Sequence, residues 1–162
     1  MEEKIVNENL LLPGKFKLVG YALMFPALIL AAVRFRYGIK PEIFEFKEFA
    51  IYSSYLETKT FSVIQNNFAD EIVGILFLFS LVFIAFSKEE VENETVMLIR
   101  LKSFFIALYA NVIFLLFVFL FIYGIGFIKA TILNMYFFLV VYILVFRYYY
   151  LFKYGKSIAG EK

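Results

Sequence analysis

The stretch SKEEVENETVMLIRLKSFFIALYANVIFLLFVFLFIYG, residues 87–124, decides how this chain is read. It opens with four carboxylates, Glu89, Glu90, Glu92 and Glu94, and passes into an apolar run long enough to cross a bilayer. Ser87 with Glu90 three residues on fits a capping box, so the pattern predicts a helix that starts at Ser87. That helix runs as an acidic lead-in over 87–102 and as a membrane span over 103–123. A capping box at Ser87 also makes the turn from the preceding element tight.

The neighbours on both sides are of the same kind. Residues 69–86 form a second apolar run whose core, IVGILFLFSLVFIAF, holds one polar residue, Ser80. Asn66 or Asn67 can cap it, and Asp70 and Glu71 lie in its first turn, where the helix dipole favours anions. Residues 127–147 make another span, with Lys129 at its mouth, Asn134 inside it and the anchor Arg147-Tyr148-Tyr149-Tyr150 at its end. The first span covers 17–33. Its Pro26 frees the Ala22 carbonyl and predicts a kink, and Ala27 with Ala31 suits close helix packing.

Between the first two spans lies a polar loop over 34–68. Its partial alternation of Ile43, Glu45 and Lys47 against Phe44, Phe46 and Glu48 points to two short extended segments about Glu57-Thr58-Lys59. Such a hairpin would lie on the membrane face; a short amphipathic helix is the other reading. Residues 1–14 end at a Pro13-Gly14 turn, and their early acidic residues do not suit a secretory leader.

Composition agrees. Of 162 residues, 63% are hydrophobic and 22% aromatic, more than a soluble domain of this length can bury. The net charge of +2 comes with no Lys/Arg cluster of the kind that tracks nucleic-acid phosphates. Cysteine and histidine are both absent, which removes thiolate nucleophiles, His/Cys metal sites and imidazole bases. The expected fold is therefore an all-α integral membrane protein. It is one domain over 1–162, a four-helix transmembrane bundle with an external loop that holds short strands. Ten Lys and Arg residues fall on the side of the termini and the second loop, against six on the other. The positive-inside rule then places both termini in the cytoplasm.

Polar residues inside spans are where function is sought first. Asn93, Arg100, Ser103, Ala107 and Asn111 share one face of the central helix at helical spacing. At about 1.5 Å per residue, Asn111 stands roughly 12 Å above Ser103, near the level of Ser80 and of the Ala22 carbonyl, while Asn134 lies deeper. The expectation is that Asn111 bonds Ser80 or that carbonyl as structural glue. The alternative is an ion or substrate path along Arg100, Ser103 and Asn111. Arg100 and Lys102 serve as headgroup anchors, or Arg100 pairs with an acid of the lead-in.

Glu89, Glu90, Glu92 and Glu94 read as a solvated lead-in or as a docking site for a cytoplasmic protein partner. They scatter around a helix, which does not suit a metal ion. Ser103 and Lys102 are adjacent and point apart on a helix, so they make no catalytic dyad. No catalytic residue, metal ligand or cofactor is expected.

Three stretches carry a resemblance: FAIYSSYLETKTF (49–61), NNFADEI (66–72) and AFSKEEVENETVMLIRLKS (85–103). They resemble a family of small multi-pass membrane proteins of Bacteroidota, itself of unknown function. The resemblance implies a protein of the bacterial cytoplasmic membrane with a partner read through the acidic lead-in. The expected function is a non-enzymatic membrane sensor or accessory subunit. An oligomeric channel or transporter is the alternative.

Overall fold

The computed structural model describes residues 11–54 and 58–159. It contains four long helices, α1 (Lys15–Ala31), α2 (Ala69–Phe86), α3 (Glu94–Phe121) and α4 (Ile125–Ala159). Two strands, β1 (Glu45–Ser54) and β2 (Thr58–Asn67), lie between α1 and α2. All four helices are long and apolar enough to cross a membrane, α1 with the π-helical turn Ala32–Arg36 that continues it. The described residues form two compact units, residues 22–79 and residues 11–21 with 80–159.

In the unit of residues 22–79, β1 and β2 pair antiparallel from Glu45↔Asn67 to Ser54↔Thr58. The alternation in the sequence is thus resolved in favour of the hairpin. Its strands are ten residues each, and residues 55–57 between them lie outside the described residues. Ile51 and Phe61 face each other by position but are missing from the paired register, and Phe61 sits at φ 50°. An aromatic residue in the left-handed region costs about 1–3 kcal/mol. The hairpin is rooted by Phe68 N–H donating to Phe44 O at 2.8 Å and by Asn67 Nδ2 donating to Pro41 O at 2.9 Å. Asn67 also caps α2, its Oδ1 accepting from Ala69 N–H at 3.2 Å. With that cap and the acidic first turn Asp70-Glu71, α2 begins where the sequence placed it.

In the other unit, the most extensive helix contact is α3 against α4. Phe104 meets Phe138, Phe114 stacks on Phe137 and Phe119 meets Phe127, which together fix an antiparallel register. α1 approaches α2 at Gly20. A Cβ there would stand 2.8 Å from Ile84 Cγ1 and 3.0 Å from Ser80 O, so only glycine permits the approach.

The central helix starts later than its sequence pattern suggested. Its N-cap is Asn93, whose Oδ1 accepts from Val96 N–H at 2.9 Å. Ser87 is not available for capping. Its hydroxyl donates to Phe83 O at the end of α2, and its strand-like bridge to Leu12 is closed by Leu12 N–H to Phe86 O and Lys88 N–H to Leu12 O, both 2.9 Å. Residues 87–93 are therefore a folded link, not helix, and the connection is not a tight turn.

Candidate functional site

That link carries the charge cluster of the molecule. Glu92 accepts from Glu89 N–H at 2.8 Å through the same Oε1 that meets Arg100 Nη2 at 2.6 Å. Arg100, on the second turn of α3, reaches back over the end of α2. Its Nη1 donates to Ala85 O at 3.2 Å and its Nη2 to Ser87 O at 2.9 Å. Carbonyls at a helix C-terminus have no intrahelical donors and carry the negative end of the dipole, so a guanidinium there is favourable twice over. The planar face of the same group lies over the Phe146 ring of α4, 4.4 Å from its centroid. Phe146 belongs to the small core of Val96 and Tyr150, packed by Ile99.

Glu89 turns to the other side. Lys17 Nζ of α1 meets its Oε1 at 2.5 Å, and Arg147 Nη1 of α4 lies 3.4 Å from both of its oxygens. Its side chain is 7% exposed, and Arg100 as a residue is 4% exposed. Two carboxylates and three cations thus join α1, α3, α4 and the end of α2 in one clasp. Burying charge is expensive unless each group is paired and hydrogen-bonded. Here each group has an ion-pair partner, and of the Arg100 nitrogens Nε alone is buried without a hydrogen bond.

The four glutamates of the acidic run are therefore not one docking surface. Glu89 and Glu92 are ion-paired within the chain, Glu89 with its side chain 7% exposed and Glu92 with its side chain 24% exposed, whereas Glu90 and Glu94 are exposed. Arg100 pairs with Glu92 and is buried, so it is no headgroup anchor. Lys102 instead lies over the Tyr149 ring at 4.4 Å.

The intramembrane cluster is also only partly assembled. Ser103 is fully buried and donates to Ile99 O of its own helix at 2.7 Å. Ser80 Oγ donates to Gly20 O at 2.8 Å, and Asn111 Oδ1 has no hydrogen-bond partner, so Ser80 does not donate to Asn111. Pro26 supplies a free carbonyl, but Gly20 supplies the close approach, and the approach decides which carbonyl is reached. Asn111 has a buried Oδ1 without a hydrogen-bond partner, and so has Asn134. The ring contacts of α3 and α4 bring these two residues to within roughly one turn of the same level. Counted at about 1.5 Å per residue from the Arg147 end of its span, Asn134 lies deeper, but the register of α4 on α3 sets the level the two residues share.

Sequence reasoning missed Gly20, and it named Glu89 without its pairing to Lys17 and Arg147. A glycine within an apolar span is the signal for the first, since small residues mark close helix contacts. Compared with known protein families, curated proteins and solved structures, the chain matches none.

Proposed function

We propose that this chain is a non-enzymatic, multi-pass protein of a bacterial cytoplasmic membrane, an accessory subunit or sensor that docks a cytoplasmic partner beside its acidic link. The observation that carries this reading is the division of the link. Two of its carboxylates hold the helix ends together, and two, Glu90 and Glu94, stay exposed with Val91 between them. A frame that presents one acidic side chain from a non-helical link and another from the first residue of α3 suits recognition by a basic surface. The internal bonds of Arg100 and Ser103 weigh against the channel alternative, because both side chains are already used within one chain. The positive-inside count places the link and both termini in the cytoplasm.

Extraction from native membranes in mild detergent, followed by mass spectrometry, tests the reading. A stoichiometric partner should co-purify with the wild type and be lost from Glu90→Gln/Glu94→Gln while the variant stays folded. A partner retained undiminished by that variant would contradict docking through these residues.

A further inference from the structure

The β1–β2 hairpin is amphipathic, and its exposed face is the apolar one. In the observed register, Phe49 pairs with Val63, and Ile51 stands opposite Phe61 on the same side. These four residues are 65–72% exposed. The other side carries Phe46, Glu48, Tyr52, Thr60, Ser62 and Asn66 around Ala50 and Ile64; Phe46 and Tyr52 are exposed, and Glu48, Ala50, Ser62, Ile64 and Asn66 are half-buried. An apolar sheet face turned outward needs a cover.

We infer that this face, formed by Phe49, Ile51, Phe61 and Val63, binds lipid and lies in the interfacial layer of the bilayer. The inference rests on reading the four long helices as membrane spans, and three observations support it. The hairpin cannot stand far from those spans: β2 ends at Asn67, α2 begins at Ala69, and the bonds to Phe44 O and Pro41 O hold the root closed. The apolar surface is continuous in the chain, since the exposed Phe35, Tyr37, Ile39 and Ile43 lead from the end of the first span to the strands. The basic residues Arg36, Lys40 and Lys47 are exposed along the same path, suited to phosphates of lipid headgroups. A second copy of the chain is the weaker occupant. Four side chains cover far less than the roughly 800 Å² per partner that a stable dimer interface buries. Within the face the Phe61 ring meets Phe49, with centroids 6.4 Å apart.

The chain has no tryptophan, so a single introduced indole reports its own position. Phe49→Trp, Val63→Trp, Tyr52→Trp on the opposite face and Phe117→Trp in α3 are each placed alone in the full chain. Each is reconstituted in phosphatidylcholine vesicles with ordinary or dibrominated acyl chains. Indole at positions 49 and 63 should emit to the blue and be quenched at least twofold more by brominated lipid than indole at 52. Two substitutions on the face keep the test open should one of them misfold. Equal quenching at 49, 63 and 52 would overturn the proposal. Blue emission at 49 and 63 without bromine quenching would overturn it in favour of a protein cover. Quenching at position 117 tests the spans separately, so a quenched 117 with an unquenched 49 and 63 rejects the hairpin's role alone.

Discussion

Two ion pairs in this molecule use the same chemistry in different surroundings. Arg34 grips Asp70 through two bonds, Nε to Oδ1 at 2.5 Å and Nη2 to Oδ2 at 2.9 Å, at the root of the hairpin. Arg100 grips Glu92 through one, at 2.6 Å, and spends its other bonds on helix-end carbonyls. Bond geometry alone favours the Arg34 pair as the stronger. Burial reverses the order. Asp70 is 44% exposed and can exchange Arg34 for water, whereas Arg100, at 4%, cannot. What holds the helix ends together is the penalty for leaving a buried charge unpaired, more than the attraction of the pair itself.

The largest effect that would test this contrast is Arg100→Ala. It strips donors from the Ala85 and Ser87 carbonyls and leaves Glu92 without its cation. Unfolding by denaturant in detergent micelles should show a loss of about 3–5 kcal/mol. Arg100→Lys should recover only part, because an ammonium cannot serve three acceptors and a ring face in one plane. Next comes Gly20→Val, which forces α1 off α2 against Ile84 and Ser80 and should cost about 1–3 kcal/mol by the same measurement. Ser80→Ala removes one hydrogen bond between those helices and should cost roughly 0.6 kcal/mol. Smallest of all, Asn111→Leu should leave stability unchanged or raise it, since it removes a buried oxygen that has no partner. A loss on Asn111→Leu would restore the glue role that its position on the helix first suggested. Arg34→Ala belongs with these small effects, and a loss comparable to that of Arg100→Ala would break the comparison outright.

The helices were legible because apolar length is a coarse signal that no local choice can hide. α2 was readable to its first residue, since Asn67, Asp70 and Glu71 all mark the same start. The hairpin was readable from alternation, though the sequence left helix open as well. The clasp was not. Two N-cap signals compete in residues 87–94, and Asn93 wins only because Ser87 is held by Phe83 and Leu12, contacts that no spacing rule contains. Once the lead-in is drawn as a helix from Ser87, the four glutamates spread around it and all look solvated. Folded as a link, the same residues turn Glu89 and Glu92 inward. The register of α3 on α4, set by aromatic contacts, likewise decides the level of Asn111 and Asn134, and depth counted along one chain could not supply it.

The most direct test of the account compares two double substitutions within that link, Glu89→Gln/Glu92→Gln and Glu90→Gln/Glu94→Gln, by unfolding in detergent micelles. Both remove two charges from the same short stretch and differ only in which side they face. The first should be destabilised by several kcal/mol, on the order of 3, and the second should unfold with the wild type. Equal losses from the two variants, or a greater loss from the second, would contradict the claim that Glu89 and Glu92 hold the helix ends while Glu90 and Glu94 face outward.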